Sequence, residues 1–94
     1  MVEIVKNETG EYQLHFKSST GSSLLKSIPY KSQADAEAIL HQITTKPIFE
    51  RRTDYQGKFM IVLKTDSGEQ VGQSNRYSSE AGMENGIKNL IKSL

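Results

Sequence analysis

Few residues of this 94-residue chain have the types and spacing that catalysis or metal binding needs. The two histidines, His15 and His41, fall on the outer face of a predicted strand and on a predicted helix. Neither has a second His, Cys or carboxylate at ligand spacing that recurs in both halves of the chain. No serine lies in a Gly-x-Ser-x-Gly elbow, and there is no cysteine to act as a nucleophile. The sequence therefore predicts no catalytic residue, no metal site and no cofactor.

The glycines and paired carboxylates have structural explanations. Gly10, Gly21, Gly57 and Gly68 are isolated and spaced at hairpin intervals, whereas a phosphate-binding loop packs its glycines just before a helix. We interpret all four as turn residues. The pair Glu80 and Glu84 stands four residues apart on a predicted helix, where both are expected to be solvated charges of the first turns.

One basic cluster remains, beginning with Arg51-Arg52. Adjacent strand residues point to opposite faces, so these two arginines are not expected to share one patch. A solvated or edge-protecting role is favoured for them. The nucleic-acid alternative uses Arg51 or Arg52 with Lys64 and Arg76 as basic groups and Tyr55 or Tyr77 as stacking residues.

The elements that carry these residues occur twice. A shift of 47 positions without a gap sets Gly10 on Gly57, Ser27 on Ser74 and Tyr30 on Tyr77, among other matches. Each copy is one supersecondary unit, with internal repeats over residues 2–47 and 49–94. The two tyrosines are expected to pack under the helix starts with their hydroxyls bonded to nearby backbone. The functional alternative makes them pocket walls or stacking platforms.

Hydrophobic periodicity and turn residues predict three strands and a helix in each copy. Ser32 and Ser79 are the expected helix N-caps. The predicted strands cover residues 2–6, 11–18, 23–28, 48–53, 58–65 and 69–74, and the helices run from residue 32 to about 46 and from about 80 to the end. In the second helix, the expected buried stripe is Met83, Ile87, Leu90, Ile91 and Leu94.

Length and charge indicate one domain, residues 1–94, without a strong electrostatic field. Twelve basic and eleven acidic residues leave a net charge of +1, which does not draw a whole domain to nucleic acid or to an anionic membrane. No apolar run approaches the roughly 20 residues of a membrane span. We expect a cytoplasmic protein.

The two copies differ most on the outer face of their second strands. Met60 and Val62 replace Gln13 and His15, so this side of the second copy is unusually apolar. It is either covered by other parts of the chain or available as a contact surface.

Both copies contain a Gly-x-aromatic strand, a turn glycine and a Ser-x-x-Tyr sequence, seen as Gly57, Phe59, Gly68, Ser74 and Tyr77 in the second copy. With Asn85-Gly86-Ile87, this pattern resembles the YegP-like proteins, small bacterial proteins of uncharacterised function. The resemblance implies an α+β fold in which two tandem β-β-β-α repeats share one antiparallel sheet. It also implies helices on one face and terminal strands exchanged between the units. No catalytic residues come with it.

The leading hypothesis is a non-enzymatic interaction module that meets a protein partner or a second copy of itself. The contact uses the sheet edge or outer face, and its candidate residues are Met60, Val62, Arg52, Arg76 and Tyr77. The alternative is weak nucleic-acid binding through the basic and aromatic residues named above. An enzyme with a small hydrophobic pocket ranks third.

Overall fold

The computed structural model describes all 94 residues as one antiparallel six-stranded sheet with two helices packed on one face. The strands lie in the order β1-β2-β3-β6-β5-β4, which makes β1 and β4 the edges. The predicted α+β fold is confirmed. The elements are β1 (Val2–Lys6), β2 (Tyr12–Lys17), β3 (Ser23–Ser27), α1 (Gln33–Thr45), β4 (Ile48–Thr53), β5 (Phe59–Lys64), β6 (Gln70–Ser74) and α2 (Glu80–Ser93).

Short polar side chains close the first hairpin of each half. Asn7 Oδ1 accepts hydrogen bonds from the backbone N–H groups of Thr9 and Glu11. Asp54 Oδ1 accepts from those of Gln56 and Lys58 in the same way. The loop then needs a residue in the left-handed region, which glycine adopts without steric cost; the φ angle of Gly57 is 79°. These loops hold each edge strand beside the strand that follows it in sequence.

This pairing corrects one expectation. The resemblance implied exchanged terminal strands, but β1 pairs with β2 and β4 pairs with β5. The connections between these strands are only five residues long and are closed by the Asn7 and Asp54 side chains, so local hairpins form instead of an exchange. The two halves meet where β3 pairs with β6.

Both helices begin where the sequence predicts. Ser32 Oγ accepts a hydrogen bond from the Asp35 N–H, and Ser79 Oγ accepts one from the Gly82 N–H. These side chains satisfy amide groups that have no partner inside the helix. Neither helix is long and apolar enough to cross a membrane.

The core lies between the helices and the sheet. Its buried residues are Leu14, Phe16, Leu24, Leu25, Ala36, Ile43, Ile61, Leu63, Val71, Met83, Ile87 and Leu90. Ile91 is 53% exposed, so its predicted place in the buried stripe is wrong. The stripe of α2 continues from Leu90 to Ser93, and Ile91, one position on from Leu90, is rotated by about 100° away from it.

Candidate interaction site at the β4 edge

Met60 and Val62, which the sequence analysis placed on an outer contact surface, are buried in the structure. Met60 is 9% exposed and Val62 is fully buried, so neither offers a side chain to a partner. Val62 lies between Glu50 and Gln73, its cross-strand neighbours, and Met60 lies opposite Arg52. Long polar side chains on neighbouring strands cover such positions with their aliphatic stems. Of the two alternatives, coverage by other parts of the chain is therefore the one observed, and the hypothesis that Met60 and Val62 form a contact surface is wrong.

Arg52 belongs to a charged network on this outer face. Its Nε lies 2.7 Å from Glu50 Oε1, and the Lys64 ammonium group contacts the other oxygen of the same carboxylate. Hydrogen bonds from Arg52 and then Lys64 lower the pKa of Glu50 from 4.5 to about 2. Arg52 and Lys64 thus share one carboxylate, which leaves the network with one excess positive charge.

Arg51 points to the opposite face, as the alternation of strand side chains predicts. Its Nε and Nη2 donate to the two carboxylate oxygens of Glu84 on α2. This bidentate pairing lowers the pKa of Glu84 and raises that of Arg51. Glu84, interpreted from the sequence as a solvated charge, therefore links the edge strand to the helix.

Arg76 holds the base of the β4–β5 hairpin. Its Nε lies 3.2 Å from Asp54 Oδ2, and the Asp54 side chain is only 9% exposed. That carboxylate oxygen has no hydrogen bond, so the guanidinium charge is its main compensation. Because Asp54 Oδ1 closes the hairpin loop, Arg76 supports the loop and is not a free cation.

Tyr77 ties the start of α2 to β5 mainly through its backbone. Its N–H and C=O exchange hydrogen bonds with the C=O and N–H of Phe59, at 2.7 and 2.9 Å. The ring lies against Gly86 of α2, and burial raises the pKa of the hydroxyl. That hydroxyl makes no hydrogen bond within the protein, which differs from the expected bond to nearby backbone. Tyr30 pairs with Tyr12 in the same manner in the first half.

The free edge of β4 presents unpaired backbone groups. The N–H of Ile61, opposite Arg51, bonds to Ser74 Oγ, and the N–H of Phe59, opposite Thr53, bonds to Tyr77. These inner residues therefore turn their backbone away from β4. By the alternation of an antiparallel ladder, the N–H and C=O groups of Phe49, Arg51 and Thr53 point outward from the sheet.

A cleft adjoins this edge on the helix face, and we call it the β4–α2 notch. Its volume is about 270 Å³, and its lining residues are Arg51, Arg52, Thr53, Phe59, Glu80 and Met83. Phe59 is half-buried and Met83 is 3% exposed, so the floor is apolar. The carboxylates of Glu80 and Glu84 stand on the helix side. The notch therefore combines an apolar floor, a charged rim and an open strand edge.

A larger cleft of about 500 Å³ lies between the end of α1 and the β5–β6 turn. Its lining residues are all exposed and polar: His41, Gln42, Thr45, Lys46, Asp66 and Ser67. Lys46 and Asp66 already form an ion pair of 3.1 Å across it. No set of three or more His, Asp or Glu side chains is close enough together to hold a metal ion. This cleft has neither an apolar floor nor an open strand edge.

Of the predicted site residues, Arg52 lies at the edge: its side chain belongs to the outer-face network, and the residue also borders the notch where the notch meets the strand. Arg76 and Tyr77 support the adjoining hairpin and helix start, whereas Met60 and Val62 lie buried beneath the outer face. Sequence reasoning missed Thr53, Glu80 and Met83 as parts of one site. Arg51 was the available signal, because strand alternation places it on the helix side of the edge strand, where an acidic residue of the nearby helix can reach it.

The comparisons with known proteins place the chain in a family. A family model described as "Domain of unknown function (DUF1508)" matches residues 54–93, which run from the β4–β5 loop to the end of α2. YegP of Yersinia pestis, a UPF0339 protein, is 30% identical over 94 residues, which cover 96% of this chain and 84% of that protein. The chain belongs to the UPF0339 (YegP) family. A UPF0339 protein of Pseudomonas aeruginosa is also 30% identical, over 89 residues covering 90% of this chain and 81% of that protein.

Solved structures of UPF0339 proteins have the same fold. The solution NMR structure of the Shewanella oneidensis protein matches with a TM-score of 0.88 at 25% identity, covering 97% of this chain and 80% of that one. The solution NMR structure of Escherichia coli YegP, titled a protein of unknown function, matches with a TM-score of 0.86 at 23% identity. That match covers 98% of this chain and 83% of the E. coli chain. The UPF0339 fold is thus shared, and no function comes with these names.

Proposed function

We propose that this UPF0339 protein is a non-enzymatic interaction module that takes up an extended segment of a protein partner beside β4. The observation that carries the proposal is the coincidence of two features: the outward backbone groups of Phe49, Arg51 and Thr53, and the β4–α2 notch directly beside them. An added strand gains affinity from main-chain hydrogen bonds and specificity from a pocket for alternate side chains.

The geometry assigns the two faces of the added strand to different surroundings. Partner residues opposite Arg51 and Thr53 direct their side chains to the helix face, where the apolar floor of Phe59 and Met83 lies. The alternate partner residues, opposite Glu50 and Arg52, direct their side chains to the outer face. An extended segment with apolar residues at every second position fits this arrangement.

Ion pairs within the protein weaken the nucleic-acid alternative. Arg51, Arg52, Lys64 and Arg76 are each engaged by a carboxylate within the protein. Phosphate binding would have to break these pairs, and the net charge of +1 supplies little compensating attraction. We therefore favour a protein partner.

The proposal also treats the chain as two tandem β-β-β-α copies, residues 2–47 and 49–94, of which the second carries the site. Matched contacts support it: Ser27 Oγ accepts from the Leu14 N–H at 2.7 Å, and Ser74 Oγ accepts from the Ile61 N–H at 2.9 Å. The copies diverge at the notch, since its lining residues Arg51, Glu80 and Met83 correspond to Ile4, Gln33 and Ala36 of the first copy. A specific site in only one of the halves is consistent with that divergence.

A displayed library of nine-residue peptides tests the proposal. Selection on the whole protein is followed by binding measurements on Thr53→Pro and Thr53→Ala. Proline removes the outward N–H of an edge residue without breaking a bond inside the sheet, and alanine keeps that N–H. We expect enriched peptides with alternating apolar residues, whose binding is lost in Thr53→Pro and retained in Thr53→Ala. No enrichment, or peptides that bind both variants equally, contradicts the proposal.

A further inference from the structure

The two edges of the sheet differ in character and complement each other. β4 carries Glu50, Arg51 and Arg52, whereas β1 reads Val2-Glu3-Ile4-Val5-Lys6 and has one charge of each sign. The N–H of Leu14, opposite Ile4, bonds to Ser27 Oγ, so the backbone of Ile4 points outward from β1. By alternation, Val2 and Lys6 do the same. Both edges can therefore accept a strand.

Strand directions allow β1 of one copy to lie beside β4 of another. Successive strands along the sheet are antiparallel, and β1 and β4 are the first and sixth, so they run in opposite directions. A second copy displaced along the sheet places its β1 antiparallel to β4, with the helices of both copies on the same side. The sheet then continues from one molecule into the next.

We infer that the strand taken up by β4 is β1 of a second copy of this chain, with Glu3 opposite Arg52. This inference rests on the proposed function, since it fills the same edge. In this register Ile4 lies opposite Arg51 and Val5 lies opposite Glu50. The helix-side residues Val2 and Ile4 are apolar and half-buried against the core of their own copy, so the part of each side chain that remains exposed is what meets the β4–α2 notch. The outer-face residue Glu3 is acidic and 43% exposed; its Oε2 lies 3.2 Å from Lys17 Nζ of its own copy, which leaves Oε1 to meet the excess positive charge of the Arg52–Glu50–Lys64 network.

Electrostatics selects this register among the three that match outward backbone groups with substantial overlap. A shift by two residues in one direction sets Glu3 opposite Glu50. The same shift in the other direction sets Lys6 opposite Arg51 and Glu3 opposite Asp54. Like charges directly opposite each other destabilise a strand pair, and opposite charges stabilise it. Only the register with Glu3 opposite Arg52 has an attractive pair and no repulsive one.

Pairing of β4 with a second β4 is less favourable. Its three comparable registers set Arg51 opposite Arg51, Glu50 opposite Glu50, or Arg52 opposite Arg52. The first register also sets Glu50 opposite Arg52 twice, but these residues already pair with each other inside each copy, so the exchange adds little attraction to offset the facing Arg51 residues. Pairing of β1 with a second β1 avoids repulsion when Ile4 faces Ile4, but it gains no opposite-charge pair. A β1–β4 contact is heterologous and leaves one β1 and one β4 free at the ends, so assembly continues as concentration rises.

Single-cysteine variants test the register, because the natural chain has no cysteine. Val5 and Glu50 are opposite each other at a non-hydrogen-bonded position, where Cα atoms lie about 4.5 Å apart and a disulfide forms readily. Val5→Cys and Glu50→Cys are mixed and oxidised. The control mixture replaces Val5→Cys by Ile28→Cys, an exposed site away from both edges. Circular dichroism checks that every variant is folded.

The mixed Val5–Glu50 disulfide is expected as the main cross-linked product, and Glu3→Gln is expected to weaken self-association about two- to fivefold. A product dominated by Val5–Val5 disulfide, or a yield no higher than the Ile28 control, overturns the inference. The peptide-library result on Thr53→Pro is independent of these cysteines. Peptide binding without the cross-link therefore rejects the second copy as the partner while the β4 site stands, and loss of both rejects the site itself.

Discussion

The ring of Tyr77 lies directly against the backbone of Gly86. A Cβ atom placed on Gly86 would lie 2.4 Å from the Tyr77 hydroxyl oxygen and 3.3 Å from Ile61 Cδ1. Only glycine leaves room for this approach. Tyr77 also exchanges backbone hydrogen bonds with Phe59 of β5. Its contact with Gly86 therefore fixes the middle of α2, the helix that forms one wall of the β4–α2 notch.

Gly86→Ala is therefore expected to destabilise the protein by about 1–3 kcal/mol, because overlap with the Tyr77 ring outweighs the gain of about 1 kcal/mol in helix propensity. In a Tyr77→Ala background the same substitution is expected to become neutral or stabilising. Urea unfolding of the four proteins in this double-mutant cycle measures both effects. Gly82→Ala is the control, because a Cβ atom placed on Gly82 would have Ser79 Oγ, at 3.2 Å, as its nearest neighbour. An equal cost of Gly86→Ala in both backgrounds contradicts this role of the tyrosine.

Ser74 supplies a buried backbone group with its hydrogen bond. Its Oγ accepts from the Ile61 N–H and donates to the Asn75 C=O. Ser74→Ala leaves the buried N–H without a partner, and we expect a loss of about 1–3 kcal/mol in the free energy of unfolding. Denaturant titration measures this loss beside Ser78→Ala, an exposed control expected to stay within about 0.5 kcal/mol of the natural protein. Equal stability of the two variants would show that the hydroxyl is dispensable.

The Glu50 network predicts how stability depends on pH. The pKa of this carboxyl is lowered from 4.5 to about 2 in the folded protein. Its contribution is therefore fully present above the unfolded pKa and is lost as pH falls from about 4.5 towards about 2. We expect a shallower decline in this window for Glu50→Gln than for the natural protein, in chemical unfolding at low ionic strength. Parallel declines would mean that other carboxylates carry the effect.

Local rules were sufficient to predict the elements. Turn glycines such as Gly57, the cap Ser79 and the alternation of strand residues placed all eight helices and strands correctly. The burial of Val62 could not be predicted in this way, since it depends on which strands flank β5 in the finished sheet. The same reason applies to Glu84, whose arginine partner is 33 positions distant in sequence.

The strand order was equally a tertiary result. The residue pattern of β1 is compatible with a local hairpin and with a strand exchanged between the two halves. The hydrogen bond that the Asn7 side chain accepts favours the hairpin. The notch forms because β4 extends beyond the part of the sheet that α2 covers. The hydrophobic periodicity of the sequence does not indicate how far a helix extends across a sheet. The β4 edge could thus be anticipated from the sequence as a candidate contact surface, but the β4–α2 notch beside it could not.

Residue-resolved amide hydrogen exchange tests the central claim most directly. The N–H groups of Phe49, Arg51 and Thr53 are compared in the free protein and in complex with a peptide enriched from the library. We predict that all three exchange more slowly in the complex, because they become ladder donors to the added strand. The N–H of Arg52, already turned towards β5, is predicted to change little. Unchanged exchange at the three outward amides, with protection elsewhere on the protein, would contradict strand addition at β4.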